Sequence, residues 1–188
     1  MIYLASASPR RAELLRQIGV EFRVHAVDLD ETRLPDEPDR DYVCRIARDK
    51  AIRAAEELSG QDDSVILAAD TAISLDGDII GKPADRAQCC ATLSRLSARE
   101  HLVLSAVALA TPRGTELRLS ENKVSFRSLS AEEISLYCAS DEPMDKAGAY
   151  AIQGKAAMFI EHLEGSYSAV MGLPLFETAE LLRSIDLI

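Results

Sequence analysis

The hydrophobic positions of this chain fall into short continuous runs and longer runs with helical spacing. Continuous apolar runs of four to eight residues predict buried strands, and they cover residues 1–6, 21–25 and 64–70. Apolar residues spaced three and four positions apart predict helices with one buried face, and they cover residues 9–18, 41–58, 85–96 and 174–185. Polar residues and prolines fill residues 27–40 and predict a loop.

Turn and cap residues predict where several of these elements begin and end. Pro9 suits the first position of a helix, and Gly19 suits the position just after its end. Ser59-Gly60 predicts the end of the second helix. Asp76-Gly77 has the composition of a type I′ turn and predicts a hairpin between residues 71–75 and a short strand that follows.

The second half of the chain adds further strands, a helix and an irregular segment over residues 144–154. Apolar runs predict strands over residues 102–111, 116–126 and 157–163. Ser130 and Glu133 have the spacing of a capping box and predict the start of a helix. Strands and helices mix without strict alternation, which predicts an α/β fold with a mixed β-sheet flanked by helices. No repeat or linker divides the chain, so we expect a single domain over residues 1–188.

The charge balance narrows the classes of partner. Thirty-one acidic residues against 21 lysines and arginines give a net charge of −10. An acidic protein gains little from the neutralisation of phosphates that drives non-specific nucleic-acid binding, so nucleic acid and membrane surfaces are not expected as partners. The longest apolar runs are also too short to span a bilayer. A small anion held by a few placed cations remains compatible with this charge.

Cysteines and histidines indicate no metal or disulfide framework. The four cysteines show no CxxC spacing, and two of them are adjacent, which predicts free thiols in a reducing cytoplasm for Cys44, Cys89, Cys90 and Cys138. Widely separated histidines predict structural or surface roles for His25, His101 and His162.

Polar residues between the first strand and the first helix suit an anion. Ser8, Arg10 and Arg11 lie at a predicted helix N-terminus, where backbone N–H groups lack partners and the helix dipole is positive. Ser8 can accept from the first helical turn or donate to a phosphate, and the two guanidinium groups can bind phosphate bidentately. A well-capped surface helix with two solvated arginines explains the same residues.

Two further positions suit acid–base and phosphate chemistry. Asp70 ends an apolar run, so we expect it at the carboxyl end of a strand, where open α/β sheets bind ligands. There it can serve as a general base or a metal ligand, or can simply begin a turn. Pro83 restricts Lys82 to extended conformations. The alternative interpretation is that Lys82 and Lys50 are ordinary lysines that extend into solvent.

An acidic loop and a glycine-bearing segment complete the set. Asp28, Asp30 and Glu31 offer only oxygen ligands, which suit magnesium or manganese beside substrate phosphates, although the general excess of acids also explains them. Gln153 carries both a donor and an acceptor, which suits recognition of a nucleobase edge. A plain glycine-bearing loop is the alternative.

The order of these motifs resembles the Maf family of nucleotide pyrophosphatases. The resemblance extends from about residue 2 to residue 182 and is carried by LASASPRRAELL, Asp30-Glu31, Lys50, the ADT that contains Asp70 and Thr71, GKP, DKAGAYAIQG and GSYSAVMGLPLFET. It implies a Maf/ITPase-like fold with two lobes around a central cleft, often as a homodimer. It also implies hydrolysis of a nucleoside triphosphate to the monophosphate and pyrophosphate with a divalent metal cation, Mg²⁺ or Mn²⁺.

The same resemblance implies roles for individual residues. Asp70 matches the family's catalytic base, and the phosphate- and metal-side positions match Ser8, Arg10, Arg11, Glu31, Lys50 and Lys82. The positions that separate substrate subgroups match Arg10, Thr71 and Gln153, and are similar to those of the dTTP/UTP subgroup. A 7-methyl-GTP or broad modified-nucleotide pyrophosphatase is the alternative enzyme. A non-catalytic nucleotide-binding regulator of septum formation is the alternative outside enzymes.

Overall fold

A mixed sheet of seven strands organises the structure, a computed structural model that describes residues 1–59 and 64–188. The strands are β1 (Ile2–Leu4), β2 (Phe22–Val24), β3 (Val65–Leu75), β4 (Asp78–Ile80), β5 (Glu100–Thr111), β6 (Gly114–Phe126) and β7 (Ile160–Glu164). Their order is β2-β1-β3-β5-β6-β7, and β4 pairs with β3. β1 runs parallel to β2 and β3, whereas the remaining pairs are antiparallel. The predicted α/β fold with a mixed sheet is confirmed.

Helices cover both faces of this sheet. They are α1 (Pro9–Gln17), α2 (Asp39–Glu57), α3 (Arg86–Leu96), α4 (Ala131–Cys138), α5 (Tyr167–Met171) and α6 (Leu175–Arg183). Successive side chains of β3 alternate between the faces. Ile66 and Ala68 pack with the small residues of α2, whereas Leu67 and Ala69 pack with α1 and α6. Within the described residues, no helix is long and apolar enough to cross a bilayer.

The local signals in the sequence describe most boundaries correctly. Both residues of the Asp76-Gly77 turn have positive φ, as a type I′ turn requires. Ser130 and Glu133 form the predicted capping box at the start of α4. The end of α2 was predicted at Ser59-Gly60; the helix ends at Glu57, and Gly60 lies outside the described residues. The five-residue helix α5 was not predicted, because it is too short to show a helical period.

The predicted end of a strand at Asp70 is wrong. β3 continues without interruption to Leu75, and residues 66–74 pair with β5 throughout. Asp70 therefore lies in the middle of a strand and not at its carboxyl end. A carboxylate in an apolar run reads as a boundary in the sequence, but the ladder to β5 holds the backbone extended past it.

The prediction of four free thiols is also wrong, because Cys89 and Cys138 form a disulfide. Cys89 lies on the buried side of α3, and Cys138 is the last residue of α4. Packing of these two helices brings the Cα atoms to 6.0 Å, a separation that suits a disulfide. Cys44 and Cys90 are free. Cysteine usage therefore gives no support for a reducing location.

His101 is buried in the core and is expected to make the protein less stable in acid. Its Nε2 lies 2.8 Å from the Tyr150 hydroxyl, and Phe126 packs against its ring. Burial lowers the pKa of His101 to about 4, whereas an unfolded chain titrates near pH 6.5. The unfolded state therefore binds the extra proton first. We expect this group to reduce the free energy of unfolding by about 2 kcal/mol between pH 7 and pH 4.5.

Urea unfolding at several pH values measures this effect. His101→Gln, which has no proton to gain, is expected to lose stability less steeply over this interval than the wild type. His162→Gln is the control, because His162 is exposed and its removal should leave the wild-type slope unchanged. Parallel pH profiles for wild type and His101→Gln would contradict the prediction.

Candidate active-site cleft

A gap in the sheet opens a cleft beside β3. Pairing of β3 with β1 ends at Leu67, and its pairing with β4 begins only at Ile73. Within residues 1–59 and 64–188, one edge of β3 therefore lacks a neighbouring strand over residues 68–72, while β5 covers the other edge. The loop after β1 and the segment that contains the 3-10 turn Ala147–Ala149 border this gap. Together they enclose a cleft of about 540 Å³.

The gap lets side chains from both faces of β3 reach one cleft. Asp70 and Thr71 are consecutive and point to opposite faces, yet both line it. Had β1 or β4 continued along this edge, the sheet would have separated them. This is why an Asp in the middle of a strand is accessible to a ligand.

Asp70 shares the ammonium of Lys50 with a second carboxylate. Lys50 Nζ, presented by α2, lies 2.8 Å from Asp70 Oδ1 and 2.6 Å from Glu31 Oε1. Asp70 is only 7% exposed, whereas Glu31 is half exposed at the mouth of the cleft. One cation therefore bridges a buried carboxylate and a solvated one.

The environment of Asp70 makes it a stronger base than an ordinary aspartate. Burial raises the pKa of Asp70, because the charged form loses its hydration. Lys50 and Arg11 act in the opposite direction and favour the ionised carboxylate. A carboxylate that is ionised and has a raised pKa accepts a proton from water more readily.

The loop that carries Glu31 is fastened to α2. Arg45 Nε and Nη2 donate to the two carboxylate oxygens of Glu37 at 2.6 and 2.8 Å. These bonds lower the pKa of Glu37 to about 2. Arg33 also donates to the Glu37 carbonyl, at 2.6 Å from Nη2. The prolines and acids of this segment thus form an ordered loop that brings Glu31 to Lys50.

Arg11 lies beneath the loop after β1. Its Nε donates to the Gly172 carbonyl at 2.8 Å, and Nη1 donates to Ser6 Oγ at 3.2 Å. Burial lowers the pKa of Arg11, but a guanidinium titrates so far above neutrality that it keeps its charge. Nη2 has no protein partner in the described part of the chain. It remains available to an anionic ligand.

The N-terminus of α1 is open towards the cleft. Ser8 is the N-cap residue, and its side chain makes no capping hydrogen bond, so its hydroxyl is available to a ligand. Of the two interpretations of this motif, self-capping by Ser8 is therefore excluded. Arg10 Nη1 lies 3.5 Å from Asp145 Oδ2 across the cleft.

The opposite wall comes from the hairpin end and the glycine-bearing segment. Lys82 and Gln153 are exposed there, and neither side chain has a hydrogen bond or ion pair within residues 1–59 and 64–188. Lys146 is mostly buried and pairs with Asp145. Gly148 has a positive φ, and a Cβ there would clash with Ile73, so this glycine lets the wall pack directly on β3.

Nine of the residues predicted for the site line this one cleft, namely Ser8, Arg10, Arg11, Glu31, Lys50, Asp70, Thr71, Lys82 and Gln153. Asp28 and Asp30 do not line it; Asp30 instead accepts a hydrogen bond from the Thr32 backbone. The sequence analysis assigned no individual role to Lys146 and Gly172, although both lie in motifs that carry the resemblance. Lys146 stood inside the glycine-bearing motif, so its proximity to Gly148 was the available signal.

The cleft has the local charge that the whole chain lacks. Among the residues that the structure describes, its lining contains five cations, Arg10, Arg11, Lys50, Lys82 and Lys146, and three carboxylates, Glu31, Asp70 and Asp145. An excess of cations in a confined site attracts a small anion even when the net charge of the protein is negative. The cleft therefore suits a multiply charged anion such as a triphosphate.

Two of these carboxylates fit a divalent cation that is shared with a ligand. The described residues contain no group of three or more His, Cys, Asp or Glu able to hold a metal by themselves. Glu31 and Asp70 already converge on one positive group, the Lys50 ammonium. Mg²⁺ is commonly held by one or two carboxylates plus substrate phosphates, which matches this donor set.

Comparison with known proteins places the chain among nucleotide-processing relatives. A family model described as Maf-like protein matches residues 1–185. Proteins named dTTP/UTP pyrophosphatase from Aromatoleum aromaticum and Methylobacillus flagellatus are each 52% identical to the chain. The alignments cover 97% of this chain and 94% and 92% of those proteins. The Ham1 protein of Staphylococcus aureus shares the fold, with a TM-score of 0.57 at 14% identity over 98% of this chain and 99% of that one.

Proposed function

Because this chain belongs to the Maf-like protein family, we propose that it is a nucleoside triphosphate pyrophosphatase that acts on dTTP and UTP. The relatives at 52% identity carry that name. The observation that supports the proposal most strongly is the buried Asp70, held by Lys50 in a cleft with an excess of cations. A base and a set of phosphate-binding groups in one cleft are the requirements of this hydrolysis.

In the proposed complex, the triphosphate lies along the cations of the cleft. Arg10, Arg11 and Lys82 neutralise phosphate oxygens, and the Ser8 hydroxyl and free N–H groups of α1 donate to them. These groups orient the α-phosphorus, which is the phosphorus bonded to the ribose oxygen, towards Asp70.

Asp70 then accepts a proton from the attacking water. The water oxygen forms a bond to the α-phosphorus while the bond from that phosphorus to the bridging oxygen breaks. The products are the nucleoside monophosphate and pyrophosphate, and the bridging oxygen leaves with the pyrophosphate. Lys50 orients the Asp70 carboxylate and keeps it ionised, and the arginines with Lys82 stabilise the charge on the leaving group.

We include a divalent cation, Mg²⁺ or Mn²⁺, in this proposal. Glu31 and Asp70 would hold it together with the substrate phosphates. When bound, it supplies charge neutralisation at the phosphoryl oxygens. The residues of the chain retain the roles given above.

Base recognition is assigned to Arg10, Thr71 and Gln153. The Gln153 side chain is exposed and unpaired within the described residues, so its amide is free to pair with a base. The proposal also includes a single catalytic domain over residues 1–188 that works in the cytoplasm. Its substrates are free nucleotides, and nucleic acids are not substrates.

Pyrophosphate release from a panel of nucleotides tests this function. With Mg²⁺ or Mn²⁺ we expect turnover of dTTP and UTP to exceed that of the purine triphosphates and of 7-methyl-GTP. Excess chelator should abolish it. Preferential hydrolysis of 7-methyl-GTP or of many modified nucleotides would identify the alternative enzyme. Binding of nucleotides without any pyrophosphate release would instead identify a non-catalytic regulator.

A further inference from the structure

A buried serine lies directly opposite Thr71 in the sheet. Ser105 on β5 is the register partner of Thr71 on β3, and it is completely buried. Its Oγ donates to the Ala169 carbonyl at 2.6 Å. A hydroxyl has a single proton, and a carbonyl can only accept, so the proton of Ser105 is committed to Ala169.

This commitment determines the direction of the hydrogen bond that Thr71 makes. Thr71 Oγ1 lies 3.0 Å from Ser105 Oγ and 3.4 Å from the Gly172 carbonyl. Both neighbours can only accept from Thr71, one because its proton is already used and the other because it is a carbonyl. The proton of Thr71 therefore points into the protein, and only lone pairs of its oxygen remain for a ligand in the cleft.

The backbone of Gly172 contributes to this arrangement through its conformation. Its φ is +122°, which residues with a side chain rarely adopt, whereas a Cβ there would make only ordinary contacts, at 3.8 Å to Thr71 Oγ1 and 3.7 Å to Arg11 Nε. The Gly172 carbonyl thus accepts from Arg11 on the phosphate side of the cleft while facing Thr71. This carbonyl is therefore a second acceptor for the Thr71 proton, and it offers Thr71 Oγ1 no proton to accept.

We propose that Ser105 is a positioning residue that fixes Thr71 as a hydrogen-bond acceptor, so that the cleft selects a base that presents an N–H group. This inference rests on the proposed function. It explains why the enzyme accepts both thymine and uracil, since both bases carry an imide N3–H. Cytosine has an unprotonated ring nitrogen at the same position, and two acceptors facing each other leave both unpaired. The discrimination is then set by a residue that does not touch the substrate.

The ratio of kcat/KM for UTP to that for CTP tests the proposal. Ser105→Ala removes the nearer acceptor and leaves only the longer contact to the Gly172 carbonyl at 3.4 Å, which a ligand carbonyl can replace. We expect the ratio to fall about tenfold, the cost of one mismatched hydrogen bond. Thr71→Ser keeps the hydroxyl and should keep the ratio. In a Thr71→Val background, Ser105→Ala should leave the ratio unchanged, because a positioning residue acts only through the group that it positions.

Ser120→Ala is the matched control. Ser120 is also buried, is the register partner of Ser105 on β6, and makes no contact with Thr71. Its variant should retain the wild-type ratio. If Ser105→Ala does not fold, Ser105→Cys, whose thiol is a weaker acceptor, should lower the ratio in the same direction.

The outcomes separate the two levels of the proposal. The role of Ser105 would be overturned if Ser105→Ala left the ratio unchanged. It would also be overturned if Ser105→Ala lowered the ratio equally in the wild-type and Thr71→Val backgrounds. Either result would leave the pyrophosphatase function standing. A wild-type enzyme that hydrolyses UTP and CTP equally would overturn the role of Ser105 as well. Absence of UTP turnover in the wild type would overturn both.

Discussion

Asp70→Asn is expected to lower kcat for pyrophosphate release from UTP about 10³-fold, within the range that general-base catalysis contributes. The amide has nearly the shape of the carboxylate but cannot take a proton from water. Lys50 keeps its bond to Glu31 and therefore its position. Nucleotide binding, measured by calorimetry, should remain detectable because the arginines of the cleft are unchanged.

Asp78→Asn is the matched control for this variant. Asp78 lies on β4, is exposed, and pairs with Arg95 away from the cleft. Its variant should retain wild-type turnover. If Asp70→Asn kept more than a tenth of wild-type kcat, Asp70 would not be the base, whatever its effect on binding.

Arg11→Met is the second change with a large expected effect. We expect kcat/KM for UTP to fall by about 10²- to 10³-fold, the usual result of removing one preorganised donor from developing charge. The variant also leaves the Gly172 carbonyl and the Ser6 hydroxyl without their guanidinium donor. Arg11→Lys should recover only part of the loss, because an ammonium keeps the charge but not the fork geometry.

Arg16→Met separates this effect from a general loss of helical charge. Arg16 lies on the same helix, α1, but is exposed and packs over Phe22 outside the cleft. Steady-state kinetics with UTP and thermal unfolding should show wild-type values for it. Similar losses in Arg11→Met and Arg16→Met would contradict a phosphate-binding role for Arg11.

The acidity of the chain and its proposed anionic substrate are compatible because they act over different distances. At physiological ionic strength, charges beyond about 8 Å are largely screened. The net charge of −10 is spread over the surface, whereas the cations of the cleft lie within contact distance of a ligand. Capture of a triphosphate therefore depends on the local cluster, while the global charge disfavours extended polyanions.

Local signals in the sequence were reliable where the deciding interactions join residues close in the chain. The turn at Asp76-Gly77 needs only the backbone freedom of those two residues. The capping box of Ser130 and Glu133 involves two residues only three positions apart at the start of a helix. Such features can therefore be predicted from the sequence alone, because the folded protein adds no distant interaction that decides them.

The errors arose where distant residues decide. Asp70 was expected at a strand end, but pairing with β5 extends β3 past it. Cys89 and Cys138 are 49 residues apart, and only the packing of two helices makes them partners. No spacing rule within the sequence contains either contact.

By itself, the sequence determined the fold class and the chemical groups available to the site, since both follow from periodicity and residue type. The tertiary structure decided how those groups act. Packing of α2 places Lys50 between two carboxylates. In the described part of the chain no strand pairs with one edge of β3 at residues 68–72, which admits Asp70 and Thr71 to one cleft. The sheet register places Ser105 against Thr71. Proton affinity and hydrogen-bond direction depend on burial and on ångström distances between segments, which a linear order of residues does not contain.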